Sequence, residues 1–120
     1  MRNIHEKYSS EAEKSISEFH NSIIADLQQC IAQNDVVVVG MAVNPFVKKA
    51  RKLLNEKNIP FVYKEYGGYF SAWKERLAIK MWSGWPTFPQ VFVRQTLIGG
   101  ATDLEKALEN NSLQELLKDE

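Results

Sequence analysis

Val36-Val37-Val38-Val39-Gly40-Met41-Ala42-Val43-Asn44-Pro45-Phe46-Val47-Lys48-Lys49-Ala50 is the stretch that decides the architecture of this 120-residue chain. Four consecutive valines form a β-branched run, too short for a helix and apolar on both faces. That is how a strand buried inside a parallel sheet reads. Gly40 breaks the run, and a short loop leads to Asn44-Pro45, an N-cap residue followed by proline at the first helical position. Phe46, Val47, Ala50, Leu53 and Leu54 then recur at helical spacing, with Lys48, Lys49, Arg51 and Lys52 on the other side. A buried strand thus delivers the chain to a helix N-terminus, where unpaired N–H groups and the helix dipole favour anions and thiolates.

The length suits one domain with a single core, here residues 10–120 after a polar, frayed N-terminus at 1–9. Lys and Arg number fifteen, as do Asp and Glu. This balance argues against nucleic acid as a partner, because no overall basic field is present to neutralise phosphates. No apolar run approaches the ~18 residues of a membrane span. The start, Met1 to Glu6, lacks the apolar centre of a signal peptide. A single cysteine, Cys30, excludes an internal disulfide and fits a reducing cytoplasm.

Going outward from the valine run, Ser10 and Glu13 have capping-box spacing and open a long helix reaching about Gln33. Its apolar stripe is Ile16, Phe19, Ile23, Ile24, Leu27, Cys30 and Ile31, which makes Cys30 a small core residue. His20 flanks that stripe, ten residues or ~15 Å of helix from Cys30, too far to share a metal. No metal site is expected. On the C-terminal side, Asn58-Ile59-Pro60 turns the chain into a second strand, Phe61-Val62-Tyr63. Strand, crossover helix and strand imply parallel pairing. After Gly67-Gly68 a third helix is expected from about Tyr69 to Met81. Phe70, Trp73, Leu77 and Met81 are its apolar face, read as core and groove wall.

Ser83-Gly84-Trp85-Pro86-Thr87-Phe88-Pro89 is closed to helix by its two prolines. Pro89 precedes the strand Gln90 to Val93, a position where proline is tolerated and a cis bond is an option. Arg94-Gln95-Thr96 connects to Leu97-Ile98 in an antiparallel hairpin whose turn, lacking glycine, is left open as to type. Gly99-Gly100 allows close backbone approach or positive φ. Thr102 with Glu105, and Ser112 with Glu115, carry capping-box spacing ahead of two last helices.

The order helix, then β-α-β-α-β-β-α and a terminal helix, resembles the thioredoxin-like fold in its glutaredoxin form. That is an α/β domain with a central four-stranded mixed sheet flanked by helices, here with an extra long N-terminal helix (10–33) before a core at 35–117. Trp85-Pro86-Thr87-Phe88-Pro89-Gln90-Val91-Phe92-Val93 through Gly99-Gly100, with Arg76 and Lys80, look like the monothiol glutaredoxins. In that family the first turn of the active-site helix carries Cys-Pro-Tyr-Cys or Cys-Gly-Phe-Ser. Asn44-Pro45-Phe46-Val47 stands at the matching positions here, so neither Asn44 nor Val47 supplies a thiol.

The resemblance implies a glutathione groove. Arg76 would hold the glycine carboxylate, and the backbone of Phe88 before Pro89 would pair with the cysteinyl moiety like an added strand. Ala101 and Thr102, after Gly100, would take the γ-glutamyl carboxylate at a helix N-terminus. Met41 stands where the family places a lysine, and Asn44 and Phe46 would line the sulfur end. Without a thiolate, thiol–disulfide exchange has no nucleophile and an iron–sulfur cluster has no protein ligand. The expectation is a redox-inactive module that binds glutathione or a protein partner in that groove, with no cofactor, no catalytic residue, no nucleic acid and no membrane. The alternatives are a glutathione-dependent enzyme or a glutaredoxin-related protein of thiol redox and iron–sulfur homeostasis, acting without its own thiol, and a structural or assembly subunit. The second domain that a glutathione transferase would need is not expected in this chain.

Overall fold

In the computed structural model, which describes residues 10–118 and all their side chains except those of residues 10, 12–17 and 19, the valine run is the hub. Val36–Gly40 forms β1, buried along its whole length. Helix α1 (Ser10–Gln33) precedes it, and α2 (Pro45–Glu56), β2 (Val62–Glu65), α3 (Trp73–Ser83), β3 (Gln90–Val93), β4 (Thr96–Gly99), α4 (Ala101–Glu109) and α5 (Ser112–Lys118) follow. The sheet order is β2-β1-β3-β4. β1 runs parallel to β2, with Val37 opposite Val62, and antiparallel to β3, with Val38 opposite Val91. The expected four-stranded mixed sheet with flanking helices is therefore present.

Period-two alternation sends the valines into two separate layers. Val36 and Val38 pack with Ala50 and Leu54 of α2, Leu104 and Leu108 of α4 and Leu113 of α5. Val37 and Val39 pack on the other face with Leu27 and Ile31 of α1, Ile79 of α3 and Phe92 of β3. Each buried valine contributes ~1.5–3 kcal/mol. Cys30 is half-buried at the edge of the second layer, its sulfur 3.8 Å from the Asn34 amide nitrogen. It is thus less enclosed than its place on the α1 stripe predicts. The Ser10–Glu13 capping pair and the stripe positions Ile16 and Phe19 lie outside the described side chains, and residues 1–9 lie outside the described residues.

Several boundaries differ from the sequence reading. Gly40 is the last residue of β1 and does not interrupt it. A Cβ there would fall 2.7 Å from a Val47 methyl, so glycine lets the first turn of α2 sit on the strand end. The hairpin turn has positive φ at both Arg94 (50°) and Gln95 (68°), the type I′ pattern, without glycine. Arg94 anchors it: its N–H donates to the Asp35 carbonyl (2.7 Å) and its Nε pairs with the Asp35 carboxylate (3.1 Å). The third helix begins at Trp73, not Tyr69, because Gly67 (φ 64°) and Ala72 (φ 56°) turn the chain before it.

The two C-terminal caps are also displaced. Gly100, not Thr102, is the N-cap of α4; Asp103 Oδ2 accepts its N–H at 3.0 Å, and Glu105 pairs with Lys49 at 3.1 Å. At α5 the Ser112 N–H goes to Asn110 Oδ1 (2.9 Å), so Ser112 starts the helix without forming the box with Glu115.

The largest correction concerns α3. Trp73, Leu77 and Met81, with Phe70 before them, were expected in the core and groove wall, but all four are exposed. The face turned inward carries Arg76, Ala78 and Ile79. Apolar residues occupy most of the circumference of α3, and the α1 and sheet side takes the half containing Ile79 and Ala78. Periodicity alone does not say which half of such a helix is covered.

Candidate functional site

The site is built on the C-terminal end of β1, where three other elements converge. Asn44 caps α2 with extended backbone, and its Oδ1 accepts the N–H groups of Phe46 (2.9 Å) and Val47 (3.1 Å). Pro45 has no N–H to offer, and the Lys48 N–H is taken by the Asn44 carbonyl (3.1 Å). The first turn of α2 is therefore closed by its own cap. The N–H groups that the sequence reading left unpaired are occupied, and the atom Asn44 has left over is a neutral amide donor, Nδ2.

The second wall comes from α3. Arg76 is only 9% exposed. Its Nη1 donates to the backbone carbonyls of Tyr66 (2.9 Å) and Ser71 (2.6 Å), which locks the loop ahead of α3. Among the described residues it forms no ion pair, and its hydrogen bonds go to backbone carbonyls. Lys80, one turn along the same helix, places Nζ 5.7 Å from the centre of the Phe88 ring.

The third wall is the segment from Trp85 to Pro89, joined to β3 through a cis Phe88–Pro89 peptide. Gln90 is fully buried beneath it and donates Nε2 to the Trp85 carbonyl at 3.1 Å, which holds the turn against the sheet. The Trp85 indole Nε1 is buried and has no partner within the protein. It faces Gly100, 3.7 Å from where a side chain on that glycine would begin. A buried N–H left unpaired costs ~1–3 kcal/mol, and the Gln90 Oε1 is buried and unpaired as well.

The last wall is the N-terminus of α4. Gly99 has φ 118° and lies against the Asp103 side chain, closer than any Cβ would allow, so this position requires glycine. The Gly100 N–H is capped by Asp103, while the N–H groups of Ala101 and Thr102 make no hydrogen bond among the described residues. Of the two helix N-termini in the site, that of α2 is closed and that of α4 is open.

These walls enclose a groove of about 620 Å³. Met41, Asn44, Phe46, Arg76, Phe88, Pro89, Gly100, Ala101 and Thr102, the nine residues singled out from sequence, all line it. Val47 does not; it is buried below, in the layer with Val37 and Val39. The groove also takes in Tyr69, Lys80, Trp85 and Asp103. Lys80 and Trp85 were read from sequence as part of the family-like pattern but were given no place in the groove, and Asp103 was findable as the acidic residue three after the N-cap glycine.

Residues 36–98 match the family model described as glutaredoxin. The chain belongs to the glutaredoxin family. A glutaredoxin-like protein of Dictyostelium discoideum is 50% identical over 103 residues, covering 86% of this chain and 84% of that protein. Monothiol glutaredoxin-4 of Schizosaccharomyces pombe is 33% identical over 75 residues, 60% of this chain and 28% of that protein. The crystal structure of a buckwheat glutaredoxin–glutathione complex superposes with a TM-score of 0.75 at 21% identity, over 84% of this chain and 92% of that one. At that identity the likeness is one of fold. Within this glutaredoxin framework, the one cysteine of the chain is on α1 and the groove holds none. No helix among the described residues is long and apolar enough to cross a membrane.

Proposed function

We propose that this chain is a glutaredoxin-fold binding module that takes glutathione, or the chain end of a peptide, in the groove without thiol chemistry of its own. The observation that carries this reading is the closed N-terminus of α2: Asn44 Oδ1 occupies two N–H groups that would otherwise stabilise a thiolate. The remainder of the groove is rich in donors. Arg76, Lys80, Asn44 Nδ2 and the free N–H groups of α4 all suit a ligand with two carboxylates and an extended backbone.

The donor set does not fit an iron–sulfur cluster, because an amide already bonded to two N–H groups replaces the thiolate such a cluster needs. Loss of the thiolate, and of a cation at the position of Met41, should weaken glutathione binding by ~1–3 kcal/mol relative to a thiol-bearing member. That is a roughly 5- to 150-fold rise in the dissociation constant, so binding is to be sought at high ligand concentration.

The test combines calorimetric titration of glutathione with a glutathione-coupled disulfide reduction assay. Saturable binding, weakened by Lys80→Glu, together with no turnover, is the expected result. Turnover that persists in Cys30→Ser would overturn the claim of redox inactivity. Binding that ignores Lys80→Glu would remove the ligand from the groove.

A further inference from the structure

We infer that the outer face of α3 is the contact surface of a two-fold symmetric dimer of this chain. Trp73, Leu77 and Met81, spaced four residues apart, form one stripe along α3 and are 61%, 46% and 72% exposed. Phe70, three residues before the helix, is fully exposed. Taking ~200 Å² for each large side chain in the open, these four leave on the order of 560 Å² of surface in water. That is at the upper end of what the largest patch on a monomeric protein reaches, and two copies together would bury ~1,100 Å², enough for a specific interface.

Two further observations favour a second copy as the occupant. The stripe is self-complementary. With two α3 helices antiparallel about Leu77, Leu77 of one copy meets Leu77 of the other, and each Trp73 meets the other copy's Met81. Such an isologous contact uses the same patch twice and closes at two subunits. Charge does not oppose it either. The chain carries no net charge, and the flanking lysines lie over their own aromatic rings, Lys74 Nζ 5.7 Å from the Trp73 ring and Lys80 Nζ 5.7 Å from that of Phe88. An anionic membrane would find no strong basic field here. This proposal is independent of what the groove binds.

Sedimentation equilibrium over about 5 to about 500 µM tests it, since a specific interface falls in or below this range of dissociation constants. A mass rising to twice that of the chain is expected, and Leu77→Asp, at a central position, should raise the dissociation constant at least ~30-fold. Because Leu77 is exposed, that variant should keep the melting temperature of the monomer. If it does not, Leu77→Cys on a Cys30→Ser background decides. Oxidation should link it into a disulfide dimer through the two-fold, whereas Lys52→Cys on the same background should stay monomeric. A monomer at every concentration, a dimer indifferent to Leu77→Asp, or oligomers that grow beyond two would overturn the proposal. So would binding of the monomer to phosphatidylserine vesicles through this face.

Discussion

Replacing Asn44 by cysteine, with Cys30→Ser so that one thiol remains, places sulfur at the seat of the α2 cap. In the parent protein that seat receives N–H groups from Phe46 at 2.9 Å and Val47 at 3.1 Å. A thiolate there gains the interaction with the helix dipole, ~0.3–1 kcal/mol in the open and up to ~2 kcal/mol when partly buried. The two N–H groups favour the charged sulfur further. Lys48, Lys49, Arg51 and Lys52 on the same helix add a positive field that salt screens over ~8–10 Å. At ~1.36 kcal/mol per pKa unit, a total of about 1.5–3 kcal/mol moves the thiol from ~8.5 to between ~6 and ~7.5. Ultraviolet thiolate absorbance against pH reads this directly, and the variant should form a mixed disulfide with oxidised glutathione faster than Cys30 does in the parent. A thiol that titrates at or above ~8.5 would show that the α2 N-terminus is not the anion seat described.

Three other outcomes follow from the same geometry. Asn44→Ala should cost ~1–2 kcal/mol, lowering the melting temperature by about 3–8 °C, while Asn44→Gly should cost only a few tenths; an unchanged Ala variant would mean the cap bonds do not hold in solution. Half-buried Cys30 should react with an alkylating reagent several-fold more slowly in native than in denatured protein, and equal rates would place it outside the α1 layer. Burial, with the hydrogen bond to Glu65 and its charge, pushes Tyr63 up to about 12, and burial also raises Tyr66. Because the folded value lies above the ordinary one, Tyr63's contribution to stability is complete below ~pH 10 and is lost as pH rises towards ~12. Chemical denaturation across that window should show a shallower alkaline loss in Tyr63→Phe, though not its abolition, since Tyr66 still titrates; identical slopes would contradict the assignment.

The fold was legible because its strongest signals are local and redundant. Four valines, Asn44-Pro45 and the paired prolines around Phe88 each permit few conformations. The groove followed once strands and helices were in order, since it is assembled from element ends. Distance-dependent competition was not legible. Asn44 was seen as a cap, but not that Pro45 and its own carbonyl complete the closure of the turn. Ser-x-x-Glu and Thr-x-x-Glu spacings suggested caps that Asn110 and Gly100 with Asp103 supply instead. For α3, propensity and period agreed on a helix, while the choice of covered face depended on where α1 and the sheet lie. Arg76 illustrates the same limit: a charged side chain reads as exposed until two backbone carbonyls, at Tyr66 and Ser71, are brought to it by the loop.

The central claim, that the groove holds glutathione between Arg76, Trp85 and the open N-terminus of α4, is tested most directly by nuclear magnetic resonance. Glutathione is titrated into ¹⁵N-labelled protein while the indole N–H signals of Trp73, Trp82 and Trp85 are followed. Only Trp85 has its indole nitrogen buried in the groove wall without a partner. The Trp85 indole and the Gly100, Ala101 and Thr102 amides should shift together along one saturating curve, with Trp73 and Trp82 unmoved. Shifts at Trp73 that spare Trp85 and the α4 amides, or no shift at tens of millimolar ligand, would contradict it.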